Sequence, residues 1–192
     1  MPRLILYKQS KDSGNSMLYL RHADKEYANG GSDNFSLDPG ITESGRVKIR
    51  EKIQHLVRSY GLPSKLISSP YLRARQTAEE IHDIILGETD ESIEIYYDPV
   101  IGEYLGNQTA RNINVCLHPE TLKHNPIPPE NWNQYVGRVA RHKRNTEYLQ
   151  DNVWYISHGV VIQSVAHFYG SKINYPGPLE GIHISNGTIE TF

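Results

Sequence analysis

Two stretches of the chain end alike. Met17 to Tyr27, MLYLRHADKEY, runs four apolar or aromatic residues into Arg21 and His22 and then turns polar. The second, VWYISHGVV, reaches Ser157, His158 and Gly159, its histidine 136 positions after the first. An apolar run of this length reads as a strand buried in a parallel sheet, with its last residues exposed at the C-terminal end. In open α/β sheets ligands bind at that end. A lone Arg-His pair is ordinary surface decoration. Two such strands are expected to bring two imidazoles and an arginine around one ligand. Two further stretches can add polar side chains: SSPYLRARQTAEEI, Ser68 to Ile81, and IGEYLG, Ile101 to Gly106.

The elements that must position these residues can be read in order. LILY, near the start, suits a short extra strand, and residues 1–16 form an N-terminal extension. Residues 24–41 make a polar, glycine-rich loop. Thr42 has the chemistry of an N-cap, and Ile49, Ile53, Leu56 and Tyr60 follow at helical spacing until Gly61 and Pro63 stop the helix. KLIS, Lys65 to Ser68, is a strand. Ser69 and Pro70 suit the cap and first position of a second helix, whose stripe is Ala74, Ala78, Ile81 and Ile85 and whose end is Gly87. Ser92 to Tyr97 alternates like a strand. No strong periodicity runs from Gly102 to about Pro129. Trp132, Tyr135, Val136 and Val139 begin a helix that continues into RHKRNTEYLQ. After the strand NVWYIS comes a helix with Val161, Val165 and Phe168 inward, ending at Gly170. Asn186-Gly187 between alternating residues is a two-residue hairpin signal. Alternating strands and helices predict a three-layer α/β/α sandwich with a mostly parallel central sheet and an antiparallel edge strand. The chain is expected to be one domain over 1–192.

Composition narrows the function. At 192 residues there is room for one sizeable core. Twenty Lys and Arg against 22 Asp and Glu leave a net charge of -2, which argues against a general nucleic-acid or membrane-surface binder. One cysteine, Cys116, excludes an internal disulfide framework and fits a reducing compartment; without a nearby downstream arginine it is a bystander rather than a nucleophile. No stretch is apolar for long enough to be a signal peptide or a membrane span. A cytoplasmic location is expected, and the N-x-[ST] matches at Asn34, Asn107 and Asn186 are then coincidences. His82, His118, His124, His142, His167 and His183 lack metal-ligand spacing, so no metal and no cofactor are expected.

The four stretches LRHA, SSPYLRARQTAEEI, IGEYLG and SHG, in this order and spacing, resemble the histidine phosphatase superfamily, the phosphoglycerate mutase-like enzymes. The resemblance covers about residues 17–190. It implies a phosphoglycerate mutase-like fold and a phosphoric monoester hydrolase of the histidine acid phosphatase type. The residue types suit that chemistry. A phosphomonoester dianion needs fixed cationic donors, and arginine presents a planar fork that matches phosphate oxygens. A neutral imidazole can attack phosphorus from one ring nitrogen while a hydrogen bond on the other fixes its tautomer. By resemblance His22 is the nucleophile and becomes a phosphohistidine, with Arg21, Arg73 and His158 around the transferring phosphoryl group. Glu103 is the choice for the acid that protonates the leaving oxygen and then activates water; Asp24, Glu26 and Glu180 also lie in site-facing loops. The family's R-A-x-x-T pattern selects Arg73. Arg75, about 200° further round the helix, is then a solvated charge. Gln76 and Thr77 are assigned to packing and solvation.

Two departures bear on substrate. Ala23 stands where the family usually has glycine. DKEYANGG replaces the Asn and small hydroxyl residues with which mutases grip substrate, so no substrate contact carries over. RVARHKRN, Arg138 to Asn145, is either a solvated helix face or a patch for a polyanionic substrate. The expected substrate is a phosphorylated small molecule or a phosphoprotein, with no nucleic acid and no membrane. The leading reading is a metal-independent phosphomonoesterase. Its rivals are a phosphoglycerate mutase-type phosphotransferase and a catalytically silent phospho-ligand-binding or scaffold protein. The chain has no P-loop and no G-x-S-x-G elbow.

Overall fold

The computed structural model describes residues 16–26, 38–105, 119–124, 130–146 and 152–192. The elements, in order, are β1 (Ser16–Arg21), α1 (Glu43–Tyr60), β2 (Lys65–Ser68), α2 (Leu72–Thr89), β3 (Ile95–Tyr97), a 3₁₀ turn (Pro99–Ile101), α3 (Pro119–Lys123), α4 (Trp132–Thr146), β4 (Asn152–Ser157), α5 (Gly159–Phe168), β5 (Gly181–Ser185) and β6 (Thr188–Thr191). Six strands form one sheet in the order β3-β2-β4-β1-β5-β6. β3, β2, β4 and β1 run parallel, and β5 is antiparallel to both β1 and β6. The expected antiparallel edge strand is therefore one strand in from the edge, and a hairpin closes that side.

The two central strands read as continuous apolar runs because each buries both faces. Leu18 and Leu20 of β1, with Trp154 and Ile156 of β4, face Ile49, Ile53 and Leu56 of α1 and Ala74, Ala78 and Ile81 of α2. Met17 and Tyr19, with Val153 and Tyr155, face Tyr135 and Val139 of α4 and Val161, Ile162 and Val165 of α5. The period of two thus divides one strand between two cores, giving the three-layer fold. On the α4 side the Tyr19 and Tyr155 rings stack at 4.5 Å, and the Tyr19 hydroxyl lies 3.0 Å from Nε2 of the buried His142.

Local chemistry explains most element ends. Thr42 Oγ1 accepts the Gly45 N–H at 3.0 Å and opens α1, which Gly61 closes. Asn186 and Gly187 have φ of 49° and 77°, the pair of positive angles that a two-residue hairpin demands. The expected limits of α2 are displaced. It starts at Leu72, after an N-cap residue, Tyr71, that makes no side-chain cap. At its other end it passes Gly87 and stops with Asp90 in the left-handed region. The strand expected over 92–97 is three residues long. A short helix, α3, occurs where periodicity was silent. LILY, Cys116 and the tripeptides at Asn34 and Asn107 lie outside the described residues. Among the described residues no helix is long and apolar enough to cross a membrane.

Candidate active site

The parallel register of β1 and β4 puts the two like-ended stretches side by side. Arg21 stands opposite Ser157, and the His22 N–H donates to the Ser157 carbonyl at 3.0 Å. The His22 and His158 rings lie 5.3 Å apart, centroid to centroid. Arg73, on the first turn of α2, reaches between them although only 1% of it is exposed. Its Nε donates to His22 Nε2 at 3.2 Å, and one terminal nitrogen lies 3.5 Å from His158 Nδ1. That nitrogen also contacts the Glu103 carboxylate, which sits 3.9 Å from His158 Nδ1. Arg21 is held from outside: a terminal nitrogen donates to the Pro176 carbonyl at 2.7 Å, and its guanidinium lies 4.9 Å from the Tyr175 ring centre. All five expected residues meet at this edge.

Hydrogen bonds fix both imidazole tautomers. His22 Nδ1 is 2.8 Å from the Ala23 carbonyl, which can only accept, so the proton is on Nδ1 and the Nε2 lone pair faces Arg73. For His158 the guanidinium beside Nδ1 can only donate, so Nε2–H points to Ser69 Oγ at 2.8 Å. Both rings are held well below the usual histidine range, by burial first and the Arg73 charge second. They are neutral at physiological pH, as a nitrogen nucleophile must be.

Asp38, itself 2% exposed, stands behind this group. Its carboxylate accepts the Leu72 N–H at 2.7 Å, lies 3.5 Å from Arg73 and contacts the Thr121 hydroxyl of α3. It supplies from a distant loop the cap that α2 lacks in its own sequence, and a buried anion for the buried guanidinium. Thr77 Oγ1 accepts the Ala23 N–H at 3.1 Å and donates to the Arg73 carbonyl, while Gln76 Oε1 accepts the Ile41 N–H at 2.8 Å. These two side chains tie the loop after His22 to α2, which corrects their assignment to packing and solvation. Lys25, half-buried, feels both Arg73 and Arg21, and its pKa is lowered by burial first and by Arg73 next. No periodicity or motif marks Asp38 or Lys25, and Ser69 reads in the sequence only as a helix cap; the tertiary fold brings all three in.

The remaining carboxylates stand elsewhere. Asp24 is 2.6 Å from Lys48, Glu180 accepts the Gly177 N–H at 2.6 Å, and Glu26 is exposed. Arg75 is not a solvated charge: its side chain packs over the Tyr97 ring and pairs with Glu79 at 3.4 Å. The basic stretch on α4 is split as well. Arg138 and His142 are buried, whereas Arg141 and Arg144 are exposed. The Tyr175 ring lies against Gly159, where a Cβ would come within 2.3 Å of Tyr175 Cζ. Among the described residues no three His, Cys, Asp or Glu side chains cluster as metal ligands.

Residues 17–189 match the family model described as histidine phosphatase superfamily (branch 1). The fold is shared with solved structures of low sequence identity. An ecdysone phosphate phosphatase from Bombix mori, solved with tungstate, superposes with a TM-score of 0.66 at 15% identity, over 93% of this chain and 92% of that one. A mycobacterial glucosyl-3-phosphoglycerate phosphatase gives 0.59 at 17%, over 88% and 89%. A phosphoglycerate mutase from Thermus thermophilus gives 0.56 at 22%, over 88% and 92%. No curated protein matches the chain in sequence.

Proposed function

The chain belongs to the histidine phosphatase superfamily, and on that premise we propose that it hydrolyses phosphomonoesters, without a metal, through a phosphohistidine on His22. The observation that carries this reading is the hydrogen bonding of His22, whose Nδ1 lies 2.8 Å from the Ala23 carbonyl while its Nε2 faces Arg73 Nε at 3.2 Å. Arg21 and Arg73 receive the dianion. Nε2 bonds to phosphorus as the bond to the ester oxygen breaks, and the departing oxygen takes a proton from Glu103. The same carboxylate then removes a proton from water, whose oxygen attacks phosphorus and frees Nε2, releasing inorganic phosphate. His158 stays beside the phosphoryl group with its proton directed away, at Ser69. The guanidinium of Arg73, already aimed at the reaction centre, stabilises charge with little rearrangement.

The experiment is a rapid quench with a radiolabelled aryl phosphate. Wild type should yield an acid-labile, base-stable phosphoenzyme, and His22→Ala should yield none and lose turnover. Turnover should survive chelation and be inhibited by vanadate. Near-normal rates in His22→Ala, or activity lost in EDTA and restored by a divalent ion, would overturn the reading. Glu103 is tested by leaving group. A glycerol oxygen is a strong base and needs a proton to depart, whereas p-nitrophenolate leaves with little help. Since general acid catalysis is typically worth about 10²–10⁴-fold, Glu103→Gln should cost that much on glycerol 2-phosphate and far less on p-nitrophenyl phosphate.

A further inference from the structure

The segment that presents Glu103 has no regular structure beyond the 3₁₀ turn at Pro99–Ile101, yet three successive carbonyls in it are held by buried side chains. A terminal nitrogen of Arg138 donates to the Val100 carbonyl and, at 3.2 Å, to the Gly102 carbonyl. The carbonyl between them, of Ile101, accepts the Ser157 hydroxyl at 2.8 Å. The turn also closes on itself, with Asp98 Oδ1 accepting the Val100 N–H at 2.8 Å and the Gly102 N–H reaching the Pro99 carbonyl at 3.0 Å. Arg138 is 4% exposed and is itself fixed by Glu130, which accepts from Nε at 2.9 Å and contacts the second terminal nitrogen. The ring of Tyr135 lies 5.1 Å from its guanidinium.

A buried ion pair is a weak device for stability, because desolvation offsets most of its attraction. What the guanidinium adds here is geometry. Its fixed fork spans a carboxylate and two carbonyls at once, which the single head of a lysine cannot do. Ser157 sits between Ile156 and His158 on β4, so the same clamp ties the loop to the strand end that carries the second histidine. We propose that the side-chain clamps on Val100, Ile101 and Gly102, Arg138 foremost, position the Glu103 carboxylate against Arg73 and His158. Arg138 is then a positioning residue that reaches the reaction only through Glu103. The proposal rests on the reading of Glu103 as the proton donor, and it accounts for Arg138, one of the two buried members of the basic stretch on α4. Displacing a reacting group by about 1 Å can cost on the order of 10²-fold in rate.

The test compares Arg138→Lys, Glu103→Gln and the double variant on glycerol 2-phosphate and p-nitrophenyl phosphate, together with a crystal structure of Arg138→Lys. The single Arg138→Lys change should lower kcat/KM about tenfold or more further on the alkyl than on the aryl ester. The double variant should fall no further on the alkyl ester than Glu103→Gln alone. Arg144→Ala, an exposed change on the same helix, should move neither rate. Equal losses on the two esters, or additive losses in the double variant, would overturn the proposal and leave Arg138 a role in the fold alone. If Glu103→Gln itself fails to separate the esters, the proton-donor reading falls and the crystal structure decides positioning. A Glu103 carboxylate moved off Arg73 supports it, and an unmoved one overturns it. Should Arg138→Lys not fold, Ser157→Ala, which frees the Ile101 carbonyl, is judged by the same two criteria.

Discussion

The His22 imidazole is kept neutral by its surroundings. Burial and the neighbouring Arg73 charge disfavour the imidazolium, and the Ala23 carbonyl can only partly offset them. The same two causes act on His158. Because both folded pKa values lie well below 6.5, both rings should remain neutral as pH falls through 6.5. Nitrogen-15 chemical shifts of the histidine rings in the ligand-free protein check this. Protonation of either ring near 6.5 would remove the electrostatic basis for the nucleophilic attack proposed above. His22 and His158 are legible in the sequence because each follows a buried apolar run, and Arg73 because it fits the family's R-A-x-x-T pattern. The site contacts of Ser69 and Asp38 are not, since nothing within a few residues of either one announces that it will meet an imidazole 89 residues away or a guanidinium 35 residues away.

Among the elements, α2 depends most on its distant partner. Its first turn has no local cap, and the Leu72 N–H is satisfied by Asp38, 34 residues earlier. Ser69-Pro70 misplaced the helix start: Ser69 Oγ meets His158 Nε2 at 2.8 Å and accepts the Tyr71 N–H at 3.4 Å, one residue before the helix begins. Asp38→Asn keeps an acceptor for the Leu72 N–H and gives up the charge facing Arg73; Asp38→Ala loses both. Loss of a cap is worth about 1 kcal/mol, and removing one partner of a buried ion pair typically costs about 3–5 kcal/mol. Because Glu103 still pairs with Arg73, Asp38→Ala should lose about 3 kcal/mol in urea unfolding and Asp38→Asn distinctly less. Equal losses would mean that the cap adds nothing. Where local chemistry and tertiary contacts agree, as at Thr42, Gly61 and Asn186-Gly187, the pattern of residues was enough to locate the element.

For the whole molecule, the buried histidines make stability depend on pH. Burial pushes His142 down to about 4, against 6.5 in an unfolded chain. Below 6.5 the unfolded chain takes up a proton that the folded ring refuses, so its contribution to stability is lost steadily as pH falls from 6.5 to about 4. The slope is about 1.4 kcal/mol per pH unit, or roughly 2 kcal/mol between pH 6.5 and 5. His142→Gln can still hydrogen-bond Tyr19 but cannot titrate. Its urea midpoint should therefore fall less than that of wild type between about pH 7.5 and 5, and an equal fall would place the pH sensitivity elsewhere. The sheet order has a kinetic corollary. β1 finds its neighbours only in β4, 136 residues along, and in β5, still further on. Contacts of such separation close long loops and are slow to form. His22, just past the end of β1, thus waits, during folding, for a strand from the far end of the chain to reach it. Trp154, buried in the middle of β4 opposite Leu18, is placed to report that arrival by its fluorescence, and the two imidazoles cannot meet before it.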